Sequence, residues 1–290
     1  MLFRKLISFL IYTNFFLAAC VTSLVVETYI LLDIKEFDFN YLIFIFCSTV
    51  SLYCFHSLFK ISSSDKNTLS ERHLWIIHHK YIFHSILALA ILGGLFSALH
   101  FSFFFLLYLF PVILISLAYT IPILPIKNKF IPIRDIPGIK IFLISFVLSV
   151  TTVLLPTVLY HNFKIINHTA LFIVFVRRML FIFAITIPFD IRDIKLDRIK
   201  NTLTIPVLLG EKNAKIMALV SLLIFLILSV LDYYIMPIRN VFVLMALIIS
   251  AVISGILINL SGPQKSIYFY AVFIEGLMLF QSLLVVISTH

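Results

Sequence analysis

Long apolar runs separated by short polar loops follow one another along the whole chain. A helix that crosses a membrane needs about 20 apolar residues, because each residue advances ~1.5 Å through a hydrocarbon core of ~30 Å. By that measure the pattern predicts nine spans, which are Ile7–Leu32, Tyr41–Phe59, His78–Ser97, Ser102–Ile121, Ile139–Leu159, Thr169–Phe189, Ala214–Ile235, Val241–Leu260 and Ser266–Ser288. Only Gly93, Gly94 and His100 mark the turn between the third and fourth spans. We therefore expect an all-α bundle of about nine transmembrane helices that forms a single domain, residues 1–290.

The composition agrees with a membrane protein and excludes several other classes. Hydrophobic residues make up 62% of the chain and charged residues only 12%, against about 45–50% and about 25% in soluble domains. These values exclude a soluble domain, a disordered chain and a nucleic-acid-binding protein. The net charge of +9 is then best explained by the excess of Lys and Arg in cytoplasmic loops.

The distribution of basic residues predicts the orientation of the chain. If Arg4 and Lys5 are inside, all the loops rich in Lys and Arg lie inside as well, whereas the opposite loops hold only Lys35, Lys164 and Arg239. We expect a multi-pass integral membrane protein, in the bacterial cytoplasmic (inner) membrane, with its large loops facing the cytoplasm.

An acidic cluster at the end of the sixth span is the main candidate for chemistry. On a continued helix, Asp193 lies about 60° and Asp197 about 20° from Asp190, at 100° per residue, so the three carboxylates share one face. A solvated helix end would explain them without chemistry. The alternative is a Mg²⁺ site, since Mg²⁺ is commonly held by one or two carboxylates together with substrate phosphates.

Two segments of the chain carry a family resemblance. Asp190-x-x-Asp193-x-x-x-Asp197, followed by Thr204–Gly210 and Ala214, resembles the second aspartate motif and following loop of the UbiA family of intramembrane prenyltransferases. Tyr119-Thr120-Ile121-Pro122, with Lys127 or Lys129 soon after, is similar to the Tyr-x-x-Pro segment and basic residue after the fourth helix of that family. The family has nine helices around an open central cavity, which agrees with the predicted spans.

The resemblance implies a function. It is the Mg²⁺-dependent transfer of an isoprenyl group from a prenyl diphosphate to an aromatic or other lipophilic acceptor within the membrane lipid. Asp190 and Asp193 would be the catalytic residues, and Asp190, Asp193 and Asp197 the metal ligands. The basic residues expected to bind the diphosphate are Lys60, Lys127, Lys129, Arg134 and Lys140.

The chain departs from the family at its first aspartate motif. The corresponding stretch, Ser51–Lys60, contains no carboxylate. His56, one helical turn from Lys60, is a candidate replacement, although a lone His near a helix end is more often only hydrogen-bonded. The loss keeps open a second interpretation, in which the protein is inactive and binds a polyprenyl lipid or a membrane partner. A transporter is a third interpretation, but many transporters are built from inverted repeats, which the sequence does not show.

Three charged residues, Arg177, Arg178 and Glu275, lie well inside predicted spans rather than near their ends. Arg177 and Arg178 lie mid-span, where an arginine costs at least ~2.5–3.5 kcal/mol on insertion scales and normally faces a partner or a cavity. We expect pairing with Glu275 or Glu27, with snorkelling outward as the alternative. Glu275 either partners an arginine or acts as a base near the acceptor. Asp232, like Glu27, lies near an outer helix end and is expected at the interface.

Overall fold

The computed structural model describes residues 2–63, 70–126, 129–161, 167–199, 202–235 and 240–289. The α-helices are α1 (Leu2–Tyr12), α2 (Phe15–Leu31), α3 (Phe39–Ser63), α4 (Glu71–His78), α5 (Lys80–Ala98), α6 (Phe103–Ala118), α7 (Ile139–Ser149), α8 (Leu155–His161), α9 (His168–Ile199), α10 (Ile205–Leu209), α11 (Glu211–Ile235), α12 (Val241–Leu260) and α13 (Gly276–Ile287). A π-helical turn, Val150–Leu154, joins α7 to α8, and another, Phe269–Ile274, precedes α13. Two short antiparallel strands, β1 (Leu124–Ile126) and β2 (Lys129–Ile131), form a hairpin before a 3₁₀ turn at Ile133–Asp135.

The predicted membrane architecture is confirmed. Within the described ranges, seven helices are long and apolar enough to cross a membrane, and the pair Lys5–Tyr12 and Phe15–Leu31 would be an eighth if it counts as one span. The fourth predicted span, Ser102–Ile121, is a shorter apolar helix that ends at Ala118, because the chain turns before Pro122. Each of the nine predicted spans therefore coincides with an apolar helix, one of them bent and one of them short.

The bend in the first span was not predicted. The chain turns by 66° between the two helices, at Asn14, which has a φ of 64°. Asparagine is one of the few residues other than glycine that adopt the left-handed conformation routinely. Its side chain is held in place, since Arg72 Nη2 donates to Asn14 Oδ1 at 2.5 Å and to Ser57 Oγ at 3.2 Å. Short polar contacts thus stabilise a break within an apolar run.

The helices group into two compact units, and residues 1–22 and 38–107 form the first. In this unit α3 packs closely against α5. Gly93 permits the approach, because a Cβ there would lie 2.9 Å from Cys47 Sγ. The core cluster of the unit contains buried residues from both helices, among them Val50, Cys54 and Phe83.

Residues 23–37 and 108–290 form the second unit, and α9 is its principal packing element. This helix of 32 residues contacts α7, α10, α11 and α12. Most of its apolar side chains between Ala170 and Ile194 are buried. The long helix therefore continues beyond its apolar part, and its final turns carry the acidic cluster.

Candidate functional site

The three aspartates of the acidic cluster lie on the last three turns of α9, as the sequence predicts. Their burial differs sharply. Asp190 is only 1% exposed, whereas the side chain of Asp193 is 28% exposed and Asp197 is half-buried. Each carboxylate has a different partner in the second unit.

Asp190 is paired with a lysine from α7. Lys140 Nζ lies 2.5 Å from Asp190 Oδ1, and the lysine side chain is 27% exposed. Gly138, with a φ of 71°, precedes α7 and sets the direction from which the helix starts. Such a φ is unfavourable for residues with a side chain. The local backbone at Gly138 thus brings Lys140 into its place beside α9.

Asp197 is tied to the loop that follows α9. Thr204 Oγ1 donates to Asp197 Oδ2 at 3.2 Å, and the backbone nitrogen of Thr202 donates to the Asp197 carbonyl at 2.9 Å. The same loop meets the segment before α7, since Gly138 N donates to Leu203 O at 3.2 Å. A small depression lies between the two loops, and its polar lining includes Arg134, Lys140, Asp190, Thr202 and Thr204.

Asp193 is held by the residue before it. Arg192 makes a bidentate contact with Asp193, at 2.8 and 2.9 Å. Its guanidinium also lies 5.4 Å from the ring centre of Phe189 and 5.3 Å from that of Tyr270, distances at which a cation is attracted to an aromatic face. Although Arg192 is rotated by about 100° from Asp193 on the helix, its side chain folds back onto this neighbour.

The carboxylates fit a divalent cation only in part. Among the residues that the structure describes, no three His, Cys, Asp or Glu side chains come together as a ligand set. Successive members of the trio are nevertheless one helical turn apart, about 4.5 Å of rise between Asp190 and Asp193 and about 6 Å between Asp193 and Asp197. One or two carboxylates suffice for Mg²⁺ when a phosphate supplies further oxygens. A neighbouring pair of aspartates could therefore hold the ion, provided that Lys140 or Arg192 gives way.

The other predicted site residues are distributed over both units. Arg134 lies in the depression and is 3.8 Å from the carboxylate of its neighbour Asp135. His56 and Lys60 are on α3, in the first unit, where the His56 ring is 5.6 Å from that of Tyr53. Lys127 lies outside the described residues, and so does the side chain of Lys129, whose backbone belongs to β2.

Arg178, one of the two intramembrane arginines, pairs with one of the two acids that were predicted as partners. Arg178 Nη1 donates to Glu27 Oε2 at 3.0 Å, and Nη2 donates to Leu24 O at 3.2 Å. Gln281 Nε2 donates to the other oxygen of Glu27 at 2.9 Å, and Ser282 Oγ contributes a bond of 3.2 Å. Pairing of Arg178 with Glu27 is confirmed. Glu27 was expected at the membrane interface, and its side chain is only 1% exposed, because the carboxylate turns inward to three donors.

Arg177 has a different partner from the two that were predicted. Its Nη1 donates to Asp232 Oδ2 at 3.1 Å, and both side chains are almost fully buried. Asp232, expected at the membrane interface, lies three residues before the end of α11, and its side chain is 0% exposed within the second unit. Glu275, the other predicted partner, lies between the π-helical turn Phe269–Ile274 and α13.

The sequence did not reveal the roles of three residues: Asp232 was not identified as a partner of Arg177, Thr204 was included only as part of the family motif, and Gly138 was not identified. For Asp232 a signal existed, because an acid within an apolar segment needs a buried partner as much as the arginine does. Thr204 occupies the N-cap position of α10, which its type and the following proline indicate. The role of Gly138 depends on a contact between two loops, which sequence spacing does not reveal.

The fold is that of UbiA-type proteins. A UbiA homologue from Aeropyrum pernix K1 superposes with a TM-score of 0.66 at 13% sequence identity, over 94% of this chain and 98% of that one. The structure of digeranylgeranylglyceryl phosphate synthase gives a TM-score of 0.60 at 16% identity, over 98% of this chain and 97% of that one. No protein-family model and no curated protein sequence matches the chain. The similarity covers almost the full length of all three proteins.

Proposed function

We propose that this protein is a UbiA-family prenyltransferase, which moves an isoprenyl group from a prenyl diphosphate to a lipophilic acceptor, such as an aromatic compound. The observation that carries the proposal is the end of α9 in a chain with the UbiA fold. There Asp190 pairs with Lys140 and lines a depression together with Arg134, and Asp193 and Asp197 follow on the next turns of the helix. The carboxylates and cations match the charged diphosphate of such a substrate, and the apolar helices match its isoprenyl tail. The loop charges favour the cytoplasmic side of a bacterial inner membrane for this end.

Each part of the cluster has a distinct role in the proposed reaction. Lys140 and Arg134 donate charge-assisted hydrogen bonds to diphosphate oxygens. Asp190 and Asp193, or Asp193 and Asp197, would hold Mg²⁺, which supplies neutralisation of the negative charge that grows on the leaving diphosphate. Arg192 holds the Asp193 carboxylate, while its own guanidinium lies over the rings of Phe189 and Tyr270. The bond between Thr204 and Asp197 fixes the loop that closes the depression.

Diphosphate release tests the proposal directly. The purified protein in lipid nanodiscs is given a mixed set of prenyl diphosphates, with a battery of acceptors, in Mg²⁺ or in EDTA. We expect Mg²⁺-dependent release in the unmodified protein and none in the Asp190→Asn/Asp193→Asn variant. Lys195→Met is the matched control, because Lys195 is an exposed cation on the same helix and should leave release unchanged.

The salt bridges that neutralise two of the aspartates favour a second candidate function, the binding of prenyl lipids without catalysis. Asp190 and Asp193 are each neutralised by a basic side chain, and Ser51–Lys60 contains no carboxylate. If prenyl lipids bind equally well in Mg²⁺ and in EDTA, and no donor releases diphosphate with any acceptor, the transferase proposal is wrong. Binding that survives Asp190→Asn would then assign the lipid-binding role.

A further inference from the structure

One face of the hairpin β1–β2 is apolar and exposed. Pro125 and Phe130 lie opposite each other in the antiparallel register, so they share this face. Phe130 is 67% exposed, and Ile123, which precedes β1, is 47% exposed. Among the elements that the structure describes, each of the two strands packs closely only against the other. Because a two-stranded hairpin by itself is marginally stable at best in water, this face needs a partner that covers it.

The length of α6 indicates the depth at which the hairpin lies. In the predicted orientation α5 and α7 both begin at the cytoplasmic surface, so α6 brings the chain back across the membrane. Its 16 residues span about 24 Å at ~1.5 Å per residue, which is about 6 Å less than the hydrocarbon core. The chain then turns at Tyr119 and Thr120. The hairpin therefore begins close to the boundary between the acyl chains and the headgroups.

The composition of the segment agrees with this depth. From Ile121 to Ile126 the chain contains no polar residue. Phe and Leu side chains are typical of segments that lie in the membrane plane and reach the boundary between headgroups and acyl chains. The outer edges of two strands carry unpaired backbone groups, which the hydrocarbon core does not tolerate. The headgroup layer, which contains water, satisfies both the apolar side chains and the strand edges.

We propose that the hairpin lies in the headgroup layer of the cytoplasmic leaflet, with Phe130 and Ile123 in contact with the first part of the lipid acyl chains. Arg134, which lines the depression beside α9, follows β2 by three residues. Lipid contact at the hairpin would thus hold the polar end of the second unit at the membrane surface. The inference goes beyond the proposed function, because it concerns contact with lipid and requires no reaction.

Fluorescence quenching by lipids measures the depth of Phe130. Trp75 is the only tryptophan of the chain, so Trp75→Phe/Phe130→Trp places one fluorophore on the hairpin. The variant is reconstituted in vesicles whose lipids carry bromine either near the headgroup end or near the far end of the acyl chains. We expect the bromines near the headgroup to cause the larger loss of emission. Acrylamide in the water should quench this tryptophan less than it quenches N-acetyltryptophanamide.

A tryptophan in the middle of a span is the control. Leu223 is 57% exposed and lies at the midpoint of α11, where only lipid is expected around it. In Trp75→Phe/Leu223→Trp the bromines near the far end of the acyl chains should therefore cause the larger loss. If Trp75→Phe does not fold, Phe130→Cys with a nitroxide label gives the same depth from its relative accessibility to oxygen and to a water-soluble nickel chelate.

Three results would overturn the inference. Quenching by acrylamide to the extent of N-acetyltryptophanamide, with no effect of either brominated lipid, would place Phe130 in water. Stronger quenching by the far bromines would place it within the hydrocarbon core. Resistance to acrylamide and to both brominated lipids would show that protein covers the face, and cross-linking would then reveal whether a second copy of the chain does so. None of these results bears on diphosphate release.

Discussion

Removing Arg178 should destabilise the second unit strongly, and removing the charge of its partner as well should restore much of the loss. Arg178 and Glu27 are both buried, and Glu27 accepts bonds from Arg178, Gln281 and Ser282. Arg178→Met leaves a buried carboxylate with two neutral donors. Loss of one partner of a buried ion pair costs about 3–5 kcal/mol.

The double variant Arg178→Met/Glu27→Gln should be much less affected than Arg178→Met alone. The amide introduced by Glu27→Gln can still accept a hydrogen bond from Gln281 or Ser282, and no uncompensated charge remains. The coupling energy between the two substitutions should reach the upper part of the range of about 0.5–3 kcal/mol that residues in contact show. Ser282→Ala removes a single hydrogen bond to the Glu27 carboxylate and should cost about 1.5–3 kcal/mol, the range for a bond to a charged group.

Unfolding of the purified protein in mixed micelles of increasing denaturing detergent, followed by near-ultraviolet circular dichroism, gives these differences. Lys195→Met serves as the control for loss of an exposed charge and should lie within about 0.5 kcal/mol of the unmodified protein. The reasoning is refuted if Arg178→Met is no worse than this control. It is also refuted if the double variant is as unstable as the sum of the two single variants.

Three further changes test other contacts by the same measurement. Arg177→Met should destabilise the protein by ~3–5 kcal/mol, and adding Asp232→Asn should recover part of this loss. If the effects of the two substitutions on the free energy of unfolding are additive, the two side chains do not act as a pair. Gly93→Ala should cost about 1–3 kcal/mol through overpacking, because its Cβ meets Cys47 Sγ at 2.9 Å, and Cys47→Ala should relieve it. Gly138→Ala should cost about 1–2 kcal/mol, because the φ of this residue is 71°. Steric contact is not the cause, since a Cβ there meets no atom within 4 Å. An unchanged stability would show that the left-handed turn is not required.

The spans and the acidic cluster could be predicted because they depend on order along the chain. Apolar length sets where a helix can cross a membrane, and helical period places Asp190, Asp193 and Asp197 within one part of α9. The bend at Asn14 could not be derived in this way. It depends on Arg72, 58 residues away in the sequence, whose side chain stabilises a turn inside an otherwise continuous apolar run.

Partners across helices were predictable only where few candidates existed. Glu27 was one of only two acids expected to pair with the arginines, because acids are scarce within the spans, and it pairs with Arg178. Asp232 was missed as the partner of Arg177, since its distance from a helix end says nothing about which way the helix is rotated. Lys140 was identified as a phosphate-binding candidate, but its salt bridge with Asp190 was not predicted, because it depends on Gly138 and on the packing of α7 against α9.

The polar network around Glu27 can form only after the end of the chain has been synthesised. Glu27 and its donor Gln281 are separated by 254 residues. At about 5–20 residues per second, the glutamate leaves the ribosome roughly 13–50 s before the glutamine does. For that interval the carboxylate must be accommodated by water or by other side chains. A ribosome that stops before α13 would leave a chain with two of the donors to Glu27 missing, and such a chain should be a preferred substrate for membrane quality-control proteases.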